Sequence, residues 1–142
     1  MNKFHHLKYL FVFSAVVVGF IGFVLKGPWT WALPIYAYGL VPLVELLSKG
    51  SEENMTKAQE AVAKESVIYD LLVYAIVPIQ WALYIAFMFA IQTPGLAAYE
   101  IVGMIITTGI GCAAFGINVA HELGHRHKWY EQWMSKALLL TS

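Results

Sequence analysis

The chain has 142 residues, the size of one domain, of which 59% are hydrophobic and 13% charged. Soluble domains carry about twice that share of charge, so the composition excludes a water-soluble globular domain and predicts an integral membrane protein. Nine basic residues balance nine acidic ones, which leaves no basic field for nucleic acid. The lone Cys112 allows no disulfide within the chain and reads as a small buried hydrophobe.

Four apolar segments reach or approach the ~20 residues that cross a bilayer. The first runs over 7–25 and is broken by Lys26-Gly27-Pro28; it is too long for a signal peptide and lacks a small-residue cleavage site. The second, 29–47, carries Pro34 and Pro42 and ends with Glu45 among leucines. A polar stretch follows over 48–66, made of good helix formers, with Glu60 and Lys64 as a favourable i,i+4 pair. It predicts a water-facing loop or helix. The third span covers 67–91 and stops at Gln92-Thr93-Pro94-Gly95; the fourth covers 97–120. Beyond it, 129–136 is amphipathic, and 137–142 begins a fifth apolar run. The expected fold is an all-α polytopic transmembrane helix bundle. Because that last run is so short, the 142 residues are expected to be a fragment of a larger enzyme.

Topology follows from the nine basic residues. Lys3, Lys8, Lys49, Lys57, Lys64, Arg126, Lys128 and Lys136 fall on one side of the four spans and only Lys26 on the other. The positive-inside rule places the N-terminus, the 48–66 loop and the end of the fourth span in the cytoplasm. Trp29 and Trp31 then mark the outer interface, and Trp129 and Trp133 the inner one.

At that inner end stands Asn118-Val119-Ala120-His121-Glu122-Leu123-Gly124-His125-Arg126. Two histidines four apart on a helix differ by about 40° in direction and about 6 Å in height, so both imidazoles face one side and converge on one metal. Ionisable residues at the mouth of an apolar bundle are functional candidates. Two ligands do not complete a site. His127 lies about 240° around from His121 if the helix continues; His5 and His6 belong to a terminal tail; Glu131 sits in the amphipathic stretch, where solvent exposure is expected. The remaining ligands are expected downstream. The H-E-x-x-H pattern is also the zinc-protease signature, so spacing alone leaves the metal open.

The motif, followed by Trp133-Met134-Ser135-Lys136, resembles the first histidine box of the membrane-bound alkane 1-monooxygenases, N-x-[GA]-H-E-L-G-H-[KR] with a later W-M-[AS]-K. Upstream, Tyr38-Gly39-Leu40-Val41-Pro42-Leu43-Val44-Glu45 is similar to the family's Y-G-x-x-P-L-x-[DE], and Glu65, Tyr69 and Val77-Pro78 fall in similar order. One departure is Lys49-Gly50-Ser51-Glu52-Glu53-Asn54, where the family has a Gly-Glu-Asp/Asn turn. The family's later histidine boxes have no counterpart in these 142 residues.

The resemblance implies that His121 and His125 are two ligands of a non-haem centre of two iron ions. Asn118, one turn earlier on nearly the same face, and Glu122 would be their orienting neighbours. It further implies terminal hydroxylation of medium- or long-chain alkanes, drawn from the bilayer, to primary alcohols with O2. A rubredoxin-type electron donor would dock at the cytoplasmic face of the bacterial inner membrane. The rivals are a membrane fatty-acid desaturase or other hydrocarbon hydroxylase on the same scaffold, a membrane zinc metalloprotease with Glu122 as general base, and a non-catalytic scaffold.

Overall fold

The computed structural model describes residues 7–47 and 67–142. The polar stretch expected to be helical within 48–66 lies outside them, as do His5 and His6. The described residues contain helices and turns and no strand. Helix α1 is Leu7–Leu25; α2 is Gly27–Leu47, α3 Val67–Ala90, α4 Ala98–Gly124 and α5 Trp129–Leu139. Three of them, α2, α3 and α4, are long and apolar enough to cross a membrane, and beside them α1 has 19 residues. Side chains such as Leu46 (82% exposed) and Phe89 (74%) point outward, as suits a bundle whose solvent is hydrocarbon.

Two apolar clusters hold the helices together. Phe23 of α1, Leu83 and Ala90 of α3 and Met104 of α4 are buried at one end, with the Phe23 and Phe87 rings 6.1 Å apart. At the other end Val73 of α3, Ala120 and Leu123 of α4 and Leu138 of α5 form the second cluster.

The first end is tied by a few polar contacts. The chain turns between α1 and α2 with Lys26 and Gly27 at positive φ (56° and 55°). Glu100 accepts hydrogen bonds from the amides of Gly27 (2.6 Å) and Ala97 (2.7 Å), so one carboxylate joins this corner to the start of α4 and satisfies an unpaired helix-terminal donor. Lys26 Nζ donates to Thr93 Oγ1 at 2.9 Å. Buried Thr30 donates to the Gly27 carbonyl, and its own carbonyl accepts from Thr107 of α4. A methyl group at Gly103 would lie 2.6 Å from Thr30 Oγ1 and 3.0 Å from its carbonyl oxygen; small residues permit such backbone approach in membranes. Gly103→Ala is therefore expected to cost about 1–3 kcal/mol through overpacking, read as a lower unfolding temperature in detergent.

Two helices contain wide turns. In α2, residues Tyr36–Leu40 are π-helical and the Val41 amide reaches back to the Tyr36 carbonyl. Pro42 follows at once and has no N–H to offer, so the ordinary i→i−4 ladder is already broken there. The second wide turn, Cys112–Ile117, lies inside α4 and leads directly into Asn118–Gly124. At this level Gln80 of α3 donates to Cys112 Sγ (3.5 Å), and the Cys112 thiol donates to the Thr141 carbonyl (2.8 Å). Cys112 thus joins a short polar relay between α3, α4 and the residues after α5.

Candidate metal centre

Helix α4 runs past the apolar segment and through the histidine motif, ending at Gly124 with His125 as its cap residue. His121 and His125 are both exposed, and their Nε2 atoms stand 3.2 Å apart with the rings 4.5 Å apart and nearly perpendicular (87°). Two imidazole nitrogens about 2.1 Å from a common ion, at angles between 90° and tetrahedral, are separated by about 3.0–3.4 Å. The pair therefore fits the first shell of one metal ion. Among the described residues no group of three His, Cys, Asp or Glu side chains is placed to hold a metal. The chain's described contribution is two donors.

The other sequence-predicted residues divide. Asn118 is exposed, one turn before His121, with no side-chain hydrogen bond among the described residues. Glu122 turns toward Arg126, its Oε1 lying 3.5 Å from Nη2. The helix does not continue to His127, which falls in the turn before α5 and is exposed beyond the helix end.

Glu131 is the clear correction. Expected to be solvated, it is 1% exposed, because α5 folds back against α4 and presents it inward. Arg126 Nη1 donates to Glu131 Oε1 at 3.0 Å and to Asp70 Oδ1 of α3 at 2.5 Å, and the Tyr74 hydroxyl donates to the same Glu131 oxygen at 2.5 Å. The guanidinium also stands 5.9 Å from the Tyr69 ring centroid, within cation–π range. Five side chains from α3, the α4–α5 turn and α5 thus meet next to His125 in the chain. The signal available in the sequence was Asp70, an acid inside an apolar segment, which by itself asks for a partner.

The electrostatics are mutually compensating. Burial disfavours charge on Arg126, but hydrogen bonds to Asp70 and Glu131 and their negative charges outweigh it, and the guanidinium's pKa is raised. Burial likewise pushes the Glu131 carboxyl up; hydrogen bonds from Tyr74 and Arg126, and the charges of Arg126 and Lys128, win and hold it below the ordinary carboxylate value. A carboxyl whose folded pKa is depressed contributes stability that is present above its unfolded pKa and is lost as pH falls through the folded value. Stability is therefore expected to fall in acid as Glu131 takes up its proton, and Glu131→Gln should flatten that limb; circular dichroism against pH reads both.

No family model matches the chain, and no solved structure matches it. Curated relatives do. Alkane 1-monooxygenase 1 of Alcanivorax borkumensis is 28% identical over 111 residues, 78% of this chain and 27% of that protein. Alkane 1-monooxygenase of Pseudomonas putida is 30% identical over 104 residues, 72% of this chain and 25% of its own length. That of Ectopseudomonas oleovorans is 27% identical over 141 residues, covering 93% of this chain and 34% of the relative. The chain thus spans only 25–34% of these relatives. Over most of its own length, the chain is a homologue of the alkane 1-monooxygenases.

Proposed function

We propose that this chain supplies two histidine ligands, His121 and His125, to a non-haem di-iron centre that hydroxylates the terminal carbon of alkanes. The observation that carries the reading is the convergence of the two Nε2 atoms, 3.2 Å apart, at the end of an apolar helix in a homologue of alkane 1-monooxygenases. Imidazole suits iron, and a cation at the last turn of α4 is favoured by the helix dipole. When bound, the irons supply the activation of O2 that a strong C–H bond requires. In the balanced reaction an alkane, O2, two electrons and two protons give a primary alcohol and water.

This chain's own residues do the rest of what falls to it. Helix α4 sets the histidines at the end of a hydrocarbon-facing bundle, near the bilayer in which an alkane dissolves. The basic residues Arg126, Lys128 and Lys136 support a cytoplasmic position for this end in a bacterial inner membrane, where a rubredoxin-type protein would deliver electrons. The zinc-protease alternative needs Glu122 free to act as a base beside the metal, and its ion pair with Arg126 weighs against it.

A chimera tests the reading. This chain replaces the matching segment of the Pseudomonas putida relative, and membranes are supplied with octane, 18O2 and reduced rubredoxin. The expected product is 1-octanol carrying one labelled oxygen, lost on His125→Ala. A folded chimera that retains iron but gives no labelled alcohol would contradict the proposal.

A further inference from the structure

The histidine pair lies at a vulnerable place. His121 and His125 span the last turn of α4, and the bond that closes it, from the His125 amide to the His121 carbonyl, is long at 3.3 Å. Helix termini fray, and loss of this one turn would part the two imidazoles. Something beyond the helix ladder has to hold it. The residue immediately after His125 is Arg126, whose guanidinium reaches Asp70 on α3 and buried Glu131 on α5, while Tyr74 on α3 fixes Glu131 from the other side.

We infer that Arg126, Asp70, Glu131 and Tyr74 form a positioning clamp that sets the geometry of the metal-binding turn. The inference rests on the reading of His121 and His125 as metal ligands. The clamp ties one end of the turn to two other helices. Two further contacts fasten it: Ser135 Oγ of α5 donates to the Ala120 carbonyl at the start of the turn at 2.6 Å, and Gln132 Nε2 reaches the Arg126 carbonyl at its end at 3.4 Å. Between these anchors Ala120 and Leu123 are 1% and 0% exposed. The turn is therefore fastened on its buried face and open on its histidine face. A ligand pair held in advance binds metal more tightly than one that must be ordered on binding, because the ordering no longer subtracts from the affinity.

The planar fork of Arg126 serves three carboxylates at once. Nη1 alone bridges two carboxylates on different helices while Nη2 faces Glu122. A lysine offers one flexible ammonium and cannot reproduce the fork.

The test uses the full chain in detergent with copper(II)–iminodiacetate, whose open positions take two imidazole nitrogens. Affinity lost on His121→Ala defines the pair's share of binding. Two variants probe the clamp: Arg126→Lys, which keeps the charge, and Arg126→Met with Glu131→Leu, which replaces an ion pair by apolar packing. Both are expected to weaken the pair's binding about tenfold or more and to broaden the nitrogen hyperfine lines in the copper electron paramagnetic resonance spectrum. Gly103→Ala, at the opposite end of the bundle, serves as the control for general destabilisation and should leave affinity and spectrum unchanged. Wild-type affinity and spectrum in both clamp variants would overturn the clamp while leaving the metal reading intact. Equal weakening by Gly103→Ala would also overturn it, by reducing the role to stability. Binding that His121→Ala does not alter would remove the metal reading itself, and the clamp with it.

Discussion

His125→Ala is expected to abolish two-point metal binding at the end of α4 while leaving the helical fold in place. The His125 ring is exposed, and the ring contact that involves it is with His121, so its loss opens no cavity. Exposed substitutions of this kind move stability by about 0.5 kcal/mol or less. The metal, by contrast, loses one of two donors that the chain offers it, and affinity should fall by about 100-fold or more, beyond the upper range for loss of a merely orienting neighbour. Metal titration followed by fluorescence quenching, with circular dichroism on the same sample, separates the two effects. Retained affinity with retained helicity would mean that the pair is not the ligand set.

The second large effect is on stability. Arg126→Ala leaves Glu131, 1% exposed, as a buried carboxylate deprived of its hydrogen-bonded cation, with the Tyr74 hydrogen bond and the charge of Lys128 left to compensate. Breaking a buried ion pair from one side costs about 3–5 kcal/mol. Asp70 suffers less, since its side chain is 28% exposed and water can take up its charge. The paired replacement of Arg126 by Met and Glu131 by Leu should be far milder, within about 1 kcal/mol of the parent, because no buried charge is stranded. Thermal unfolding in one detergent orders the three proteins. If the single and double variants are equally destabilised, the arginine matters for its packing and not for its charge.

These two predictions draw on parts of the molecule that the sequence reveals unequally. The apolar runs and their Pro- and Gly-containing breaks mark the helices, because a bilayer leaves each segment few alternatives to satisfying its own backbone. The break at Lys26-Gly27-Pro28 coincides with the junction of α1 and α2 as its composition indicates, and the spacing of His121 and His125 carries over directly into a 3.2 Å approach of their nitrogens. Local chemistry settles those features. The Arg126 cluster is different in kind: its partners Asp70 and Tyr74 are 56 and 52 residues away, and nothing local announces the pairing. Glu131 reads as solvated on the pattern of α5 alone and is buried because α4 and α3 cover that face. The wide turns Tyr36–Leu40 and Cys112–Ile117 are also silent in the sequence, since a π turn shifts the helical register without a characteristic residue pattern. Pro42 offers a reason for the first only in hindsight.

The buried Gln80 belongs with these long-range features. Its Nε2 is directed at Cys112, 32 residues later, and its Oε1 is a buried side-chain atom with no hydrogen-bond partner among the described residues. Polar side chains that meet between helices are a recurrent adhesive in membranes, each worth about 0.6 kcal/mol on average. Gln80→Leu is thus expected to change stability by less than about 1 kcal/mol, in contrast to the clamp.

The most direct measurement is the metal content and X-ray absorption spectrum of the chimera with the Pseudomonas putida relative, purified from cells grown with both iron and zinc available. Bound iron coordinated by imidazole nitrogen is expected, and it is lost in His121→Ala and His125→Ala alike. Stoichiometric zinc at the pair, or iron that persists when both histidines are replaced, would contradict it.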